Sequence, residues 1–378
     1  MSLSDLFCVE RHKTHFLDLV KNKIDITFAN EQEICSLINS NNFQEVIEFG
    51  KQTGKIIIVT RGEKGSVAIF NNEVYECESK KNLKKFKINK SSTEVILGDL
   101  TNPNDFLKLN SSFDVVIHLA AIIPPEAYLS EKRTFDENVL GTELLIERIQ
   151  EIAPNAFFMF SSSVAVYGDR LKNPEIRVSD PLNKEDDDLY VRSKIKAEEA
   201  VRYSQLNWTI FRLTAILGVN NHKVTGLMFH MPLNTPMEIT TPSDAARAFV
   251  NSLEKKTFLS KRVFNLGGGA SFRTSYRELL EENFKINGLG ALDFPEKTFA
   301  EKNFHCGYML DSDDLEDILH YRKHTLADYY RLNREAVSLL QKSFTYMFRS
   351  PIKFFLQQMS APLKAFRTNN LDEMKRFF

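Results

Sequence analysis

The chain has 378 residues, 43% of them hydrophobic and 26% charged, and its formal net charge is −1. This composition is ordinary for a folded globular protein, and the balanced charge argues against nucleic acid as its main partner. The four cysteines are scattered and form no CxxC pair, which argues against a zinc site or a disulfide framework and favours a reducing compartment. The sequence starts without the apolar run of a signal peptide, and no stretch reaches the roughly 18 apolar residues of a membrane span. We therefore expect a cytoplasmic protein without a membrane span.

The first 78 residues alternate between strand-like and helix-like stretches. The pattern predicts a strand at 25–28, helices at 31–39 and 43–53, and a buried parallel strand at 55–60, KIIIVT. The next stretch, SVAIF–NNE–VYECE, alternates apolar and polar side chains on both sides of an Asn-Asn pair. That alternation predicts a β-hairpin.

A polar, basic segment at 79–92 is predicted to be a linker, and beyond it strands alternate with helices. This rhythm predicts a parallel, doubly wound sheet. The predicted strands are 94–97, 114–119, 156–161, 208–213 and 262–266, and the predicted helices are 131–152, 189–205, 243–253, 275–284, 312–320 and 325–340. We expect Ser243 to cap its helix. The tail 343–378, rich in Phe and basic residues, is predicted to pack on its own domain, with docking on a partner or a membrane as the alternative.

Tyr190 and Lys194 are four residues apart in a predicted helix and so share one face of it. An ammonium beside a phenol favours the phenolate and is expected to lower the pKa of Tyr190. The tyrosine could then exchange a proton with a substrate hydroxyl or carbonyl. Ser163 follows a predicted strand, where its hydroxyl can donate a hydrogen bond to the reacting oxygen. Tyr128 and Lys132 have the same spacing without such neighbours and are interpreted as an ordinary exposed pair.

These residues belong to a series of stretches that resembles the extended short-chain dehydrogenases, the family of nucleotide-sugar epimerases and dehydratases. The stretches are VILGDLTNP (95–103), DVVIHLAAIIPP (114–125), NVLGTELLIE (138–147), FSSSVAVYG (160–168), YVRSK (190–194), IFRLTAILG (210–218), PSDAARAFV (242–250) and VFNLGGG (263–269). The resemblance implies a Rossmann-like sheet with a smaller C-terminal substrate-binding part. It also implies NAD or NADP as the cofactor, a small-molecule substrate such as a nucleotide sugar, and a homodimer formed through the two long helices.

The resemblance also assigns roles to individual residues. It implies that Ser163, Tyr190 and Lys194 are catalytic, and that Tyr190 and Lys194 also contact the cofactor. Asp99, with Leu100 beside it, would contact the adenine, and Leu119, Ala120 and Ala121 would line the cofactor behind the sheet. Asn138 is expected to be architectural, and His118 is interpreted as an ordinary strand residue.

A member of this family should begin with a strand, a glycine-rich turn and a helix that together hold the cofactor pyrophosphate. Here Gly62, Gly65 and Ala68 form GxxGxxA after KIIIVT, but only five residues, 66–70, lie between Gly65 and the next Asn-Asn pair. A crossover helix needs at least about 10–12 residues. The sequence therefore favours the hairpin over a dinucleotide turn.

Residues 1–78 resemble part of the ribokinase-like (PfkB) sugar and nucleoside kinases. In that resemblance Asn30 and Glu33 match an NxxE motif near Mg–phosphate, and Thr60, Gly62 and Gly65 match a TxGxxG stretch near ATP. The substrate half and the catalytic-base stretch of such a kinase have no counterpart. We therefore expect a kinase-like fragment at 1–85, a dehydrogenase-like domain at 86–342 and the tail at 343–378, with KIIIVT replacing the lost first strand of the dehydrogenase sheet.

The sequence leaves three functions to weigh, and we predict the first, with the second as the alternative. The first is an NAD(P)-dependent oxidoreductase, epimerase or dehydratase that acts through Ser163, Tyr190 and Lys194. The second is a non-catalytic α/β binding or scaffold protein, suggested by the lost glycine turn. The third is residual nucleotide binding at the kinase-like segment.

Overall fold

The computed structural model describes residues 9, 13–61, 64, 66–70, 72–77, 96–110, 112–184, 187–219, 226–302 and 304–378. The chain divides into two compact units, Met1–Val95 and Ile96–Phe378, here called unit 1 and unit 2. The predicted linker at 79–92 lies outside the described residues, as do Gly62 and Gly65.

Unit 1 contains a four-stranded sheet in the order β1–β2–β3–β4. Its elements are α1 (Lys13–Asp18), a π-helical turn (Leu19–Lys23), β1 (Ile26–Asn30), α2 (Glu31–Ile38), α3 (Phe43–Thr53), β2 (Ile56–Thr60), β3 (Ser66–Phe70) and β4 (Glu73–Cys77). Strands β1 and β2 are parallel, whereas β3 is antiparallel to both β2 and β4. The predicted hairpin of β3 and β4 is therefore confirmed. The alternating burial of β2 places Ile57 and Val59 in a core shared with helices α2 and α3.

The pairing of β2 contradicts the expectation that this strand replaces the first strand of the dehydrogenase sheet. Strand β2, the KIIIVT segment, has β1 on one side and β3 on the other, so unit 1 occupies both of its edges. It does not replace the first strand of the dehydrogenase sheet. The reason is the short connection after Thr60, which lets Ser66 pair back against Thr60.

Unit 2 is built around a parallel four-stranded sheet in the order β11–β8–β6–β5. Its elements up to the last strand of this sheet are α4 (Pro103–Phe106), β5 (Val115–His118), α5 (Glu131–Phe135), α6 (Gly141–Ile152), β6 (Phe157–Ser163), β7 (Glu175–Ile176), α7 (Leu189–Tyr203), β8 (Asn207–Leu213), β9 (Ala215–Ile216), β10 (Pro236–Thr240), α8 (Pro242–Asn251), α9 (Lys256–Leu259) and β11 (Arg262–Leu266). The remaining elements are β12 (Arg273–Ser275), α10 (Tyr276–Asn287), β13 (Tyr308–Met309), α11 (Asp313–Leu319), α12 (Leu326–Ala336), α13 (Leu339–Met347), α14 (Arg349–Gln358), α15 (Ala361–Arg367) and α16 (Leu371–Phe377).

Helices cover both faces of this sheet, which confirms the doubly wound, Rossmann-like class. On one face Phe158 and Phe160 of β6 pack with α6 and α7. On the other face Phe157 and Met159 pack with α8 and α11. Successive residues of β6 thus enter opposite cores, as expected for a strand buried on both sides.

The smaller part of unit 2 contains two small sheets, ordered β12–β10–β9 and β13–β7. Its core groups Phe229, Phe272, Phe299 and Tyr329 with side chains of α10 and α12. The chain enters this part at β9, immediately after β8. The smaller part is therefore joined to the carboxyl end of the main sheet, where open α/β sheets bind ligands.

Three local predictions for unit 2 need correction. Residues 96 and 97 of the predicted strand 94–97 are not in a strand, and the first two residues of that strand lie outside the described residues. Thr241, rather than Ser243, caps α8, because its side chain accepts a hydrogen bond from the Asp244 N–H and Pro242 takes the first helical position. The predicted helix 131–152 contains a π-helical turn, Asp136–Leu140, between α5 and α6.

The tail, 343–378, comprises the second half of α13 and the last three helices of unit 2. Phe377 of α16 is buried in a cluster with Ala300 and Ala365, which confirms packing on the same domain for α15 and α16. By contrast, no residue of α13 or α14 is buried. A search of the described residues found no helix long and apolar enough to span a bilayer.

Candidate functional site

Helix α7 carries both Tyr190 and Lys194, one turn apart, at the start of the helix. Asp188 precedes the helix, and its carboxylate accepts hydrogen bonds from the backbone N–H groups of Tyr190 (2.8 Å) and Val191 (3.3 Å). The other carboxylate oxygen of Asp188 accepts from the Tyr128 hydroxyl at 2.8 Å. Asp188 therefore fixes the first turn of the helix and ties it to the loop after β5.

Asn138 lies in the π-helical turn and holds the same turn of α7 from another side. Its side chain accepts from the Ile122 N–H (2.7 Å) and donates to the Ile122 carbonyl (3.0 Å) and to the Ser193 hydroxyl (3.0 Å). Ser193 in turn donates to the Tyr190 carbonyl at 2.8 Å. Asn138 therefore links two segments by hydrogen bonds, as expected of an architectural residue.

Ser163 and Tyr190 are brought together at the carboxyl end of β6. Burial raises the pKa of Tyr190 to about 12, a hydrogen bond with the Ser163 side chain lowers it, and the Asp188 charge raises it. The expectation of a lowered pKa is therefore wrong for this structure, because desolvation outweighs the hydrogen bond. Near neutral pH the phenol carries its proton and can donate it.

The ammonium of Lys194 is buried next to β6. Its Nζ atom donates to the Ser161 carbonyl at 2.6 Å and lies 4.4 Å from the centre of the Phe160 ring. Burial lowers the pKa of Lys194 to about 8, whereas the nearby Glu198 carboxylate raises it. Lys194 is therefore still mostly charged at pH 7. Among the described residues, the Ser161 carbonyl is the hydrogen-bond acceptor of this ammonium.

His118 is buried at the end of β5, which supports its interpretation as a strand residue. Its Nε2 lies 2.8 Å from the Thr142 hydroxyl, whose own proton goes to the Asn138 carbonyl. Nε2 must therefore carry the proton and donate it. Burial, together with the charge of Lys194, lowers the pKa of His118 to about 3, so the ring is neutral.

A buried ion pair lies behind the candidate catalytic residues. Glu198, one turn beyond Lys194, accepts two hydrogen bonds from Arg212 of β8, at 2.9 Å and 2.8 Å. Arg212 also donates to the Tyr167 hydroxyl (2.9 Å), which donates to the Asn265 side chain (2.7 Å). This chain of contacts connects α7 with β8, the turn after β6 and β11. It gives the carboxyl ends of three neighbouring strands a common polar support.

The residues predicted to line the cofactor lie on loops of unit 2. Asp99 is exposed, and its carboxylate accepts from the Thr101 N–H and hydroxyl, both at 2.8 Å. Leu100 follows it and approaches Gly141 at the start of α6. Leu119 and Ala120 are exposed immediately after β5, and Ala121 is half-buried. All of these residues are accessible to a ligand.

The alternative to the hairpin after β2, a dinucleotide-binding turn, would need a helix directly after its glycines. Strand β3 begins at Ser66, so that five residues lie between it and the end of β2, and it runs antiparallel to β2. Among the described residues no helix capable of a crossover lies between the two strands. The described residues of this stretch therefore form no strand–turn–helix cradle for a pyrophosphate.

A cavity of about 790 Å³ opens beside the first turn of α7. Such a volume is within the usual range of ligand sites, about 300–1,000 Å³. Its walls come from the start of α7, the turn after β6, the loop before β13 and the last helix. The lining residues are Tyr128, Gly168, Asp169, Asn183, Asp187, Asp188, Leu189, Val191, Leu227, His230, Lys302, Phe304, His305, Lys375, Arg376 and Phe377.

Sequence reasoning missed Tyr128, Asp188 and the last helix as parts of the wall of this cavity, whose lining does not include Ser163, Tyr190 or Lys194. Tyr128 drew attention only through its spacing from Lys132, and that pairing does not form, since Lys132 is exposed and pairs with Asp136. An Asp two residues before the tyrosine was a visible cap signal. The approach of α16 had no local sequence signal, because 167 residues, 204–370, lie between it and α7.

The chain is similar in sequence and in fold to known proteins. The sequence profile of the NAD dependent epimerase/dehydratase family matches residues 51–267. The chain is 24% identical over 203 residues to a D-erythronate dehydrogenase of Cupriavidus necator, covering 46% of this chain and 60% of the relative. It is 34% identical over 136 residues to a UDP-glucose 4-epimerase of Pisum sativum, covering 34% of this chain and 38% of the relative. The chain thus spans less than two thirds of the length of either relative.

Among solved structures, the fold is similar to that of UDP-glucuronic acid 4-epimerase from Bacillus cereus in complex with UDP-glucuronic acid and NAD. The TM-score is 0.53 at 19% sequence identity, and the match covers 67% of this chain and 84% of that structure. At this identity the similarity concerns the fold alone.

Proposed function

Because the chain belongs to the NAD-dependent epimerase/dehydratase family, we propose that it transfers hydride between NAD and a carbon bearing a hydroxyl or carbonyl group on a nucleotide sugar. The observation that supports this most directly is the contact between Ser163 and Tyr190 beside the buried ammonium of Lys194. The choice of NAD rather than NADP, and of a nucleotide sugar, follows the relatives and is part of the proposal.

In this proposal Tyr190 moves the proton and Ser163 orients the reacting oxygen. The high pKa of Tyr190 keeps its proton on the phenol at rest, so donation to a carbonyl oxygen is the favoured direction. The charge of Lys194 stabilises the phenolate that forms. A bound nicotinamide would supply the hydride acceptor and donor.

The residues present fit one half of the cofactor better than the other. The ammonium of Lys194 is the kind of donor that suits the ribose hydroxyls at the nicotinamide end, and Leu119, Ala120 and Asp99 are exposed for the remainder. The pyrophosphate, however, has no strand–turn–helix cradle in the described part of the chain. We therefore expect the cofactor to bind more weakly than it does to a family member with an intact glycine turn.

Titration with NAD(H) and NADP(H) tests the proposal. Trp208, the only tryptophan, reports binding by fluorescence, and the melting temperature provides a second readout. A ligand at 100 times its dissociation constant stabilises the fold by about 2.7 kcal/mol. We expect saturable binding of NAD(H) that weakens in Lys194→Met, and NAD-dependent turnover of a UDP-sugar. No binding of either cofactor at millimolar concentration would overturn the proposal.

The hairpin after β2 favours a second candidate, a catalytically degenerate α/β binding or scaffold protein. In that case the contact of Ser163 with Tyr190 would be a remnant of the fold. The same titration decides between the two, since only the first candidate binds the cofactor.

The kinase-like resemblance of unit 1 stays a prediction. Asn30 and Glu33 form a capping box at the start of α2, in which each side chain accepts the backbone N–H of the other, at 2.8 Å and 2.9 Å. Both side chains are therefore already occupied in stabilising a helix. Mg-ATP binding that is lost in Asn30→Ala, with α2 intact by circular dichroism, would support a nucleotide site there.

A homodimer through the long helices also stays a proposal. A surface cavity of about 820 Å³ lies between α6 and α7, lined in part by Leu140, Ile146 and Tyr203. Tyr203 is 84% exposed. The molar mass in solution, compared with that of Tyr203→Glu, tests this interface.

A further inference from the structure

Helices α13 and α14 leave many large apolar side chains exposed at the surface of unit 2. None of their residues is buried, whereas α15 and α16 each bury at least one side chain. A concentration of exposed apolar side chains of this kind marks an interaction site. The exposed large apolar side chains of residues 339–359 are Leu339, Leu340, Phe344, Tyr346, Met347, Phe348, Phe354, Phe355 and Met359.

The apolar side chains of α13 share one side of the helix. Leu340, Phe344 and Met347 follow the i, i+4, i+7 spacing of a helix face and are 85%, 62% and 74% exposed. The backbone of α13 closely approaches the end of α10, where a Cβ atom on Gly288 would lie 2.5 Å from the Lys342 carbonyl oxygen. Helix α13 is therefore held on unit 2 while it presents these three side chains to solvent.

Helix α14 is oriented by two contacts. Leu356 packs against the core of the smaller part of unit 2, and Lys353 pairs with Asp293 of the loop after α10. Phe354 and Phe355 project away from that core and are 59% and 69% exposed. Together with the three side chains of α13 they form a surface that we call the exposed apolar face.

The charges in this part of the chain have one sign. Between Glu335 and Asp372 the sequence contains five lysines and arginines and no carboxylate, although the formal net charge of the whole chain is −1. Lys353 pairs with Asp293. The described residues provide no ion-pair partner for the other four cations, which are Lys342, Arg349, Lys364 and Arg367.

The carboxylates of α10, the helix that contacts α13, have other partners. Glu281 lies 3.9 Å from Arg277 of the same helix, and Glu282 lies 2.9 Å from Arg334 of α12. Glu278 belongs to the capping box at the start of α10. The four unpaired cations of α13, α14 and α15 therefore remain available to an anionic surface.

We infer that the exposed apolar face of α13 and α14 binds the surface of an anionic lipid bilayer. The phenylalanine, leucine and methionine side chains insert at the boundary between headgroups and acyl chains, and the cations contact the lipid phosphates. An apolar helix face combined with lysine and arginine is the composition of helices that lie in a membrane interface. Anionic lipids attract such cations. This inference goes beyond the proposed hydride transfer and does not depend on it.

A bilayer fits this face better than a second copy of the chain or another protein. A symmetric dimer would place the face against itself and bring the unpaired cations of two chains together. A protein partner would need pockets that match the protruding side chains. Fluid acyl chains accept such side chains without a matched shape.

Flotation of the full chain with lipid vesicles tests the inference. One vesicle preparation contains phosphatidylcholine and phosphatidylglycerol in equal parts, and the other contains phosphatidylcholine alone. We expect binding to the anionic vesicles to be at least tenfold tighter. Raising the salt from about 0.1 M to about 1 M should weaken it at least tenfold, because salt screens exposed charges.

A pair of variants tests the apolar part of the face. Phe344→Gln/Met347→Gln should weaken binding to the anionic vesicles at least tenfold at an unchanged melting temperature, because both side chains are exposed. The matched control, Val250→Gln/Phe258→Gln, replaces two exposed apolar side chains of α8 and α9 and should change the affinity less than twofold.

A second pair tests the cations. Lys342→Gln/Arg349→Gln should weaken binding to the anionic vesicles and reduce its dependence on salt. Its control, Lys172→Gln/Lys255→Gln, removes two exposed lysines outside the tail and should leave both properties unchanged. An unchanged salt dependence in the first variant would overturn the assignment of these cations to the lipid surface.

Three results would overturn the inference as a whole. They are wild-type affinity in Phe344→Gln/Met347→Gln, equal binding to neutral and anionic vesicles, and no binding to the anionic vesicles. Sedimentation in solution identifies the main alternative. A dimer that is lost in the same variant, without any vesicle binding, would assign the exposed apolar face to a second copy of the chain.

Discussion

Strands β2 of unit 1 and β6 of unit 2 are both apolar and parallel to a neighbour, and both end in hydroxyl side chains, Thr60 in one and Ser161–Ser163 in the other. The chain leaves them differently. After β2 it turns back within five residues as the antiparallel β3, whereas after β6 it reaches α7 before returning in parallel as β8. Only the second connection brings a helix with Tyr190 and Lys194 to the carboxyl end of a strand. The connection, more than the strand itself, therefore determines which side chains lie at the carboxyl end of each strand.

The ion pairs of the two units differ in how far they are exposed to solvent. In unit 1, Arg61 pairs with Glu31 at the surface, with side chains 17% and 29% exposed. In unit 2, Arg212 and Glu198 are almost fully buried and joined by two hydrogen bonds. The buried pair supports the proposed site, and its loss should affect the fold far more.

The largest expected effect is on catalysis. Tyr190→Phe removes the proton that the phenol would donate and should lower NAD-dependent turnover of a UDP-sugar by about 10²–10⁴-fold with the fold unchanged. Absorbance of the nicotinamide measures the turnover. Tyr75→Phe, on the exposed strand β4 of unit 1, is the control and should be silent. Wild-type turnover in the Tyr190 variant would remove this residue from the mechanism.

The second prediction compares the two ion pairs. Glu198→Ala leaves the buried guanidinium of Arg212 without its partner and should lower the free energy of unfolding by about 3–5 kcal/mol. Glu31→Ala should lower it by about 1 kcal/mol or less, because that pair is partly solvated. Hydrogen exchange of amides in β8 and β2 measures both under one set of conditions. Equal losses of unfolding free energy in the two variants would contradict the predicted difference between the buried and the partly solvated ion pair.

The third prediction concerns the loss of folding stability at acid pH. The folded pKa of His118, about 3, lies below its ordinary value of 6.5. The unfolded chain therefore takes up this proton first, and stability is lost as the pH falls from 6.5 towards 3. Between pH 6.5 and pH 5 this loss should reach about 2 kcal/mol.

Urea unfolding at pH 7 and pH 5 measures this loss. His118→Gln should reduce it, since an amide can donate to Thr142 without titrating. The exposed His15 of unit 1 provides the control, and His15→Gln should keep the wild-type pH dependence. Identical pH profiles for wild type and His118→Gln would contradict the assignment of a buried, neutral ring.

The smallest expected effect is at the segment after β2. If no pyrophosphate cradle forms there, Gly62→Ala should change the affinity for NAD(H) less than twofold, a difference of about 0.4 kcal/mol. The comparison variant, Lys194→Met, should weaken NAD(H) binding clearly. A tenfold loss in Gly62→Ala at an unchanged melting temperature would show that this segment does hold the cofactor.

Much of the candidate site was predictable because its signals are local. The i and i+4 spacing of Tyr190 and Lys194 needs only a helix, and the run of serines after an apolar strand needs only a strand that ends there. The hairpin of β3 and β4 was predictable for the same reason. The predictions that were wrong depended on contacts between residues far apart in the sequence. The sheet membership of β2 depended on which strands pair with its two edges, and the pKa of Tyr190 depended on burial by residues distant in the chain.

Two further differences have physical causes that no local pattern contains. The π-helical turn at Asp136–Leu140 directs Asn138 to Ile122 and Ser193, contacts that exist only after β5 and α7 have packed. The approach of α16 to Tyr128 and Asp188 is set by the burial of Phe377 against His230.

The sequence by itself determined the alternating strands and helices, the parallel class of the main sheet and the placement of Ser163, Tyr190 and Lys194 in neighbouring elements. These properties follow from periodicity and spacing along the chain. The tertiary structure alone decided that β2 pairs within unit 1, that burial raises the pKa of Tyr190 and that the last helix lines the cavity. Those properties depend on desolvation and on contacts between residues far apart in sequence, which only the packed chain brings together.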